Sequence, residues 1–538
     1  MQVKPLLDKI NSKTFLEDYL TACGVEFVKD YLNPGKNCFD DPWEYDNIDE
    51  AVELLREIIS VDGCNVGILH DADADGACSS AIIYDFIRKQ NPTIHPIVFY
   101  HTGKQHGPDD LQDNIVKSGV DYLIIPDAGT NNYNVCKYLH YSGIMLLIID
   151  HHEVTAENPY AIIVNPFASK SKEVNRNTSG TGVTNDVVKY YCEKYNVPCP
   201  DYSDLVAVSL ITDVCSFTSI GNRANIYYGL KPDCENKFLR YLFEKCCAYR
   251  GLNSDGVAFG IGPLANALCR MSLPQKDKAI FFEGLVGERE PEDCLKFLRA
   301  NKREQDKAVK EAFEGIKVDN EHKCIVTIID NSYAPFTGLI ANKLVGEYHK
   351  PAFVLRKNNP TLYTGSMRSP IGLLQKINNS GLANCAGHDS ACGIVIKASN
   401  LEKFKAWLDK LNLDVKPSIP VTAKIAPSEI NETLCTVCNQ DKTLWGKDVP
   451  KPSFYLRTHV RTGEVQVIGA KKNTLKLVKN DVAFMMFFAK EEDIEAFKQG
   501  GEFEMIVELE LNVWNDIKTC QGIIKQYEFV EDDWENYF

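Results

Sequence analysis

Cys64-Asn-Val-Gly-Ile-Leu-His70 runs straight into Asp71-Ala-Asp73-Ala-Asp75-Gly76, and a helix-like segment follows over 77–90. A short run rich in Val, Ile and Leu, bounded by turn residues, reads as a buried strand of a parallel sheet. The pattern recurs three times. Asp121-Tyr-Leu-Ile-Ile-Pro126 ends at Asp127, Ile144-Met-Leu-Leu-Ile-Ile149 at Asp150-His151-His152, and Val206-Ala-Val-Ser-Leu-Ile-Thr212 at Asp213. All four runs are expected to be strands. In open α/β sheets the ligand site lies at the carboxyl ends of the strands. Four strands that end in carboxylate and imidazole predict one site built from four loops.

The residue types indicate a metal. Asp73 and Asp75 sit two apart in a Gly-terminated turn, so both carboxylates can face one point. Adjacent His151 and His152 point in different directions and can serve two ions. With Asp127, Asp150 and Asp213 the set is mostly carboxylate with some imidazole, which suits Mg²⁺ or Mn²⁺ and favours Mn²⁺ for the histidines. Two such ions about 4 Å apart activate water and clamp a phosphoryl group for in-line displacement. Any one of these aspartates alone would read as a turn or cap residue. Their joint placement carries the metal reading.

Composition sets the outer limits. The 538 residues suggest three or four domains. Hydrophobic content of 44% and charged content of 25% fit a soluble globular chain. Met1-Gln-Val-Lys-Pro-Leu-Leu-Asp8 lacks the basic start and apolar stretch of a signal peptide, and no apolar run approaches the roughly 20 residues needed to span a bilayer. No membrane association is expected. The 19 cysteines are scattered and odd in number, as for reduced cytosolic thiols. Cys435-Thr-Val-Cys438 has no second pair nearby and reads as ordinary thiols rather than a zinc half-site. A net charge of −15 argues against a protein that coats nucleic acid, although a basic channel can sit in an acidic protein.

The expected architecture is α/β. Residues 1–60 read as helical and 61–235 as alternating strands and helices around a parallel sheet. Residues 236–315 read as a helical connector whose charged end, 301–315, is exposed. A smaller α/β unit covers 316–412, and 413–420 reads as a linker. Residues 421–538 carry short strands at 453–459, 464–469, 481–488, 502–513 and 522–528, the pattern of a small β-barrel. Lys451, Arg457, Arg461, Lys471, Lys472, Lys476 and Lys479 stand against one acid, Glu464, within 451–480, with Phe454, Tyr455 and His459 interleaved. A positive face with stacking side chains is how single strands are held without sequence reading.

Asp73-Ala-Asp75-Gly76, Asp127-Ala-Gly129, Asp150-His151-His152 and Asp213 resemble the four motifs of the DHH phosphoesterase superfamily. Further stretches resemble its RecJ branch, the single-strand-specific 5′→3′ exonucleases. These are Ser179-Gly-Thr-Gly-Val183, Asn222-Arg223, Gly229-Leu230 and Pro263-Leu-Ala-Asn266-Ala-Leu-Cys-Arg270. Gly365-Ser366-Met-Arg368-Ser369 and Gly387-His388-Asp-Ser-Ala391-Cys-Gly393 resemble the partner domain called DHHA1. Trp445-Gly446, Pro450-Lys-Pro452, Asn512-Val-Trp514 and Gln521 resemble the family's OB-fold domain. The resemblance runs from about residue 15 to about 530.

The resemblance implies that Asp73, Asp75, Asp127, His151, His152 and Asp213 bind two ions of Mn²⁺ or Mg²⁺, with Asp71 and Asp150 orienting ligands from behind. His388 would contact the scissile phosphate, its neighbour Gly387 letting the backbone come close. Ser366 and Arg368 alternate along an extended segment and share a side, where with Ser369 they would hold a terminal phosphate. Asn266 and Arg270 would contact the strand backbone or serve structure, and Lys471 and Lys472 belong to the basic face. The family's 5′-phosphate arginine has no counterpart in Tyr100-His-Thr-Gly-Lys-Gln-His-Gly107, where His101 or Lys104 are the substitutes. Val-Cys-Ser follows Asp213 where the family has a proline, a change of loop and not of ligand.

The function implied is a two-metal 5′→3′ exonuclease that releases mononucleotides from single-stranded DNA in repair or recombination. The alternatives are a DHH enzyme for short oligoribonucleotides or cyclic dinucleotides, and a non-catalytic single-strand-binding scaffold. The chain is expected to be a monomer in the cytoplasm of a bacterium, or of its host if phage-encoded. The tail Glu531-Asp-Asp-Trp-Glu-Asn-Tyr-Phe538 resembles the acidic tips by which single-strand-binding proteins recruit repair and replication partners. A partner of that kind is the corresponding expectation, against a terminus with no such role.

Overall fold

The computed structural model describes residues 1–530 except 102, 104, 272, 320, 414–417 and 515–516. Lys104, half of the 413–420 linker and the acidic tail therefore lie outside the described residues, as does the side chain of Trp514. The first unit is a five-stranded sheet in the order Ile97–Tyr100, Val66–His70, Tyr122–Pro126, Met145–Ile149, Ile162–Val164, with every pair parallel. Val66–His70 is buried throughout, as a strand covered on both faces must be. The acidic turn after it becomes the first turn of helix Ala74–Gln90, where Asp73 accepts from the Gly76 N–H at 2.9 Å.

The fourth apolar run is not a strand. Ser203–Thr212 is a helix, with every residue from Ser203 to Ile211 buried. It packs between helices Ala74–Gln90 and Ile220–Gly229, so no face meets water and no amphipathic period marks it. A short run that is apolar all round reads the same as strand or as buried helix. Asp213 still reaches the site, because it caps the end of this helix.

The connector ends in a single long helix, Pro291–Glu314. Its charged residues from Arg303 to Glu314 are exposed as expected, while Asn301, Gln305 and Ala312 form a buried face. Its end packs into the smaller α/β unit through Ala308, Val309, Ala312 and Phe313. That unit is a mixed sheet in the order Ala383–His388, Ala391–Lys397, Leu362–Arg368, Ala352–Asn359, Ile325–Ile328. Its pairs are antiparallel except the last.

The third sheet has seven strands, in the order Ala423–Lys424, Ser453–Val460, Gly501–Trp514, Ile517–Val530, Val482–Phe487, Thr474–Lys479, Val465–Ile468. All five expected strands are present. Ala423–Lys424, Thr474–Lys479 and the helix Glu491–Gln499 come in addition to them. The N-terminal segment does more than lead into the first sheet. Val3–Pro5 pairs in parallel with Ile419–Val421, Phe15 packs on Phe454 and the Tyr19 hydroxyl donates to Pro450 O at 2.8 Å. Arg223, with no exposed surface, donates to Tyr31 O, Thr443 O and Asp441 Oδ2 at 3.0, 3.0 and 3.1 Å. One continuous apolar core consequently joins the first and third sheets, while the 325–411 sheet keeps cores of its own.

Candidate metal centre

The ends of Val66–His70, Tyr122–Pro126 and Met145–Ile149 converge with the end of Ser203–Thr212. There Asp75, Asp127, His151 and Asp213 meet. His151 Nδ1 donates to Thr178 O at 3.0 Å, which turns the Nε2 lone pair inward. Nε2 then lies 3.2 Å from Asp127 Oδ1, 3.7 Å from Asp213 Oδ2 and 3.8 Å from Asp75 Oδ2. Asp127 Oδ1 is buried and has no hydrogen-bond partner. Lone pairs that face one another in a buried site call for a cation or a proton between them. Among the described residues three sets of donors lie close enough to share an ion: Asp127, His151 and His152; Asp75, His151 and Asp213; and Asp71, Asp73 and His106. Oxygen-rich sets with imidazole fit Mn²⁺ or Mg²⁺.

The backbone is shaped around these side chains. Asp127 sits at φ 66°, in the left-handed region that Asp tolerates better than most residues. A Cβ on Gly180 would come within 2.4 Å of Asp127 Oδ1, so only glycine lets the Gly180–Tyr195 helix approach. The N-terminus of that helix clamps Asp75: Gly180 N and Thr181 N each donate at 2.8 Å, one to each carboxylate oxygen, and the Thr181 hydroxyl adds a third bond. The Ser179-Gly-Thr-Gly-Val183 stretch carried no assigned role in the sequence, yet it fixes a ligand. Asp150 sits behind the histidines and accepts from His151 N, His152 N, His152 Nδ1 and Thr130 N.

The electrostatics follow. Burial, then the charges of Asp75, Asp73, Asp71 and Asp213, push Asp127 far above the carboxylate range. Burial and Asp75 raise Asp213 to about 7. Burial also works to raise Asp150, but the His152 hydrogen bond and charge outweigh it and hold the carboxyl well below its ordinary value. The bond to Asp150 raises His152 to about 9 against its own burial. Unpaired carboxylates on one side and a paired one behind are what a cation-binding centre requires.

The phosphate-binding candidates divide. Asn266 and Arg270 lie on one face of helix Gly262–Arg270. Burial holds Arg270 below its ordinary value, and it also feels the charges of Arg368 and Asp73. Ser366 shares the face of Arg368 and exchanges a 2.9 Å hydrogen bond with Thr337. Ser369 is buried, and its hydroxyl accepts from Ile371 N in the turn. His388 is exposed at the tip of the hairpin formed by Ala383–His388 and Ala391–Lys397, next to Gly387 at φ 130°. Among the described residues no hydrogen bond or ion pair joins it to the carboxylates. His101 is buried against Asp110 at 2.8 Å and is not available at the surface. The exposed imidazole of that loop is His106, 2.6 Å from Asp71 Oδ2, to which the motifs assign no role.

The expected basic face is smaller than the sequence implies. Lys451 pairs with Glu508 and Glu510, Arg457 and His459 with Glu502, and Lys479 with Glu464. Most of these acids come from Gly501–Trp514, the antiparallel neighbour of Ser453–Val460, so they lie far off in sequence and adjacent in space. Phe454 is wholly buried. Arg461, Lys471 and Lys472 remain exposed and Lys476 half-buried, all without an ion pair among the described residues. The aromatic rings that stand exposed beside the loop of Lys471 and Lys472 are Phe487 and Phe488.

Comparison with known proteins gives the class. Residues 65–210 match the N-terminal domain of the DHH family, and residues 421–526 match the RecJ OB domain. The chain thus joins a DHH domain to a RecJ-type OB domain. Its particular likeness is to RecJ. It is 24% identical over 551 residues to the single-stranded-DNA-specific exonuclease RecJ of Bacillus subtilis, covering 97% of this chain and 69% of that one. It is 27% identical over 519 residues to YorK of the B. subtilis SPbeta prophage, provisionally named a single-strand DNA-specific exonuclease, with 87% of each covered. The fold matches RecJ from Thermus thermophilus in complex with Mn²⁺, at a TM-score of 0.76 and 20% identity, over 99% of this chain and 79% of that one.

Proposed function

We propose that the chain is a metal-dependent exonuclease of single-stranded DNA that uses two ions of Mn²⁺ or Mg²⁺. The observation that carries this is His151 Nε2, turned by Thr178 into the midst of Asp75, Asp127 and Asp213 beside the unpartnered Asp127 Oδ1. The relatives named as single-stranded-DNA-specific exonucleases support the substrate. When bound, the ions supply an activated water and neutralise charge on the phosphorane-like transition state. Asp73, Asp75, Asp127, His151, His152 and Asp213 would hold them. Gly180 and Thr181 keep Asp75 fixed, and Asp150 keeps His152 oriented. Arg270 and Arg368 would grip backbone phosphate as forked donors, with Ser366 beside them. Ser369 supports that strand end, and His388 approaches the scissile phosphate from across the cleft. The 5′→3′ polarity and mononucleotide product follow the RecJ resemblance. So does a role in repair or recombination as a cytoplasmic monomer, alongside a single-strand-binding or other repair and replication partner.

The test uses single-stranded DNA labelled at either end, with Mn²⁺, Mg²⁺ or EDTA. Early release of a labelled mononucleotide from the 5′ end, absent in EDTA and in an Asp150→Ala, His151→Ala variant, is expected. Turnover of dinucleotides with no attack on long DNA would move the chain to the short-RNA class. Tight binding without cleavage would make it a scaffold.

A further inference from the structure

We propose that His106 is a metal ligand of this centre and that it holds a Mn²⁺-class cation together with Asp71 and Asp73. The inference rests on the metal-centre reading above and extends it to His106 and Asp71, two residues outside the six expected ligands. His106 Nδ1 donates to Asp71 Oδ2 at 2.6 Å, a proton that a bound cation would replace, and one donor atom each from Asp71, Asp73 and His106 fall within 4.8 Å of one another. The His106 and His152 rings stand 6.1 Å apart, so the imidazole borders the cluster already described.

A second observation points to a cation at this place. His101 is 3% exposed, and its Nδ1 is tied to Asp110 Oδ1 at 2.8 Å. A carboxylate accepts only, so the Nδ1 proton lies on that bond. In the neutral ring Nε2 then carries a lone pair. It has no hydrogen-bond partner and faces Asp71 Oδ1 at 3.8 Å. Histidine that hands one N–H to a carboxylate and aims its other nitrogen at a charged donor set is the usual arrangement around a bound metal. Asp71 is therefore approached by two imidazoles, one from the buried side and one from the cleft.

The loop that delivers His106 is built for the purpose. Gly107 N donates to Asp71 Oδ1 at 3.3 Å, and Gly107 sits at φ 73°. A Cβ there would come within 2.5 Å of Asn132 Oδ1, so glycine lets the chain pass between Asp71 and Asn132. An imidazole added to two carboxylates shifts the preference from Mg²⁺ toward Mn²⁺.

The test is Mn²⁺ binding by the full-length, EDTA-stripped protein, followed by electron paramagnetic resonance of free and bound ion. Wild type is compared with His106→Ala and His106→Asp, with near-UV circular dichroism to check the fold. The expected result is that His106→Ala weakens one class of Mn²⁺ sites by about 10-fold or more and leaves the other class intact. His106→Asp, which keeps a donor atom and serves if the alanine variant does not fold, should retain binding and lose one ¹⁴N coupling to bound Mn²⁺. Unchanged affinities and unchanged nitrogen couplings in both variants would overturn the inference alone. Wild type that binds no Mn²⁺ would overturn it together with the proposed function.

Discussion

At the residue scale, the acidic motifs were legible because each follows directly on an apolar run, which ends a strand before Asp71, Asp127 and Asp150 and a buried helix before Asp213. Contributions made through approach rather than position were not. Gly180 is the clearest case, since nothing in its sequence context says that a methyl group would strike Asp127. Gly180→Ala is expected to fold and to lose about 100-fold in activity, because a ligand displaced by about 1 Å costs that much. Activity within a few-fold of wild type, measured on a variant with unchanged thermal stability, would contradict it. A second residue-scale prediction concerns Asp186, which burial raises to about 7 beside Tyr45 and Lys189. A carboxyl whose folded value exceeds its unfolded value of 3.8 loses stability as pH rises from about 4 to about 7. Asp186→Asn removes that loss. Its thermal midpoint relative to wild type should therefore climb by a few degrees between pH 5 and pH 8. A pH-independent difference would refute the assignment.

At the scale of elements, period and composition identified the sheets and misread two features for physical reasons. Ser203–Thr212 lacks a polar face because helices cover it on several sides, so its sequence resembles a buried strand. The basic stretch at 451–480 looked unopposed because its acids arrive on a strand some 45 residues later, as Arg457 with Glu502 shows. What the pairing leaves exposed defines the next prediction. Lys471→Glu with Lys472→Glu should weaken single-strand binding and reduce the salt dependence by about one to two units of slope, and Phe488→Ala should weaken it through lost stacking. Arg457→Glu should disturb binding far less. Salt-dependent fluorescence titration decides, and equal losses for all of them would restore the broader basic face. Arg223 shows how a motif residue can serve packing. It holds two main-chain carbonyls and Asp441 across three segments, with no exposed surface. Arg223→Met should cost about 3–5 kcal/mol, since it strands buried acceptors and a paired carboxylate. Chemical denaturation measures it, and a loss under about 1 kcal/mol would show that water replaces the guanidinium.

At the scale of the molecule, the order of units along the chain was legible, but their grouping was not. The N-terminal strand and helices pack on residues 419–460, and the first and third sheets share one core. The 325–411 sheet, reached through Pro291–Glu314, keeps separate cores. Calorimetry should accordingly resolve two transitions, one for the joined sheets and one for the 325–411 unit. A single transition would place the division elsewhere. The metal cluster lies on the joined sheets and Arg368 on the 325–411 sheet, and Arg270 feels the charges of both Asp73 and Arg368. The proposed activity depends on the cation. The most direct measurement is therefore the stoichiometry of Mn²⁺ bound by the EDTA-stripped protein, with and without Asp127→Asn. The account predicts at least two ions per chain in the wild type and loss of tight binding in the variant; a wild type that binds none, or a variant that binds as before, would contradict it.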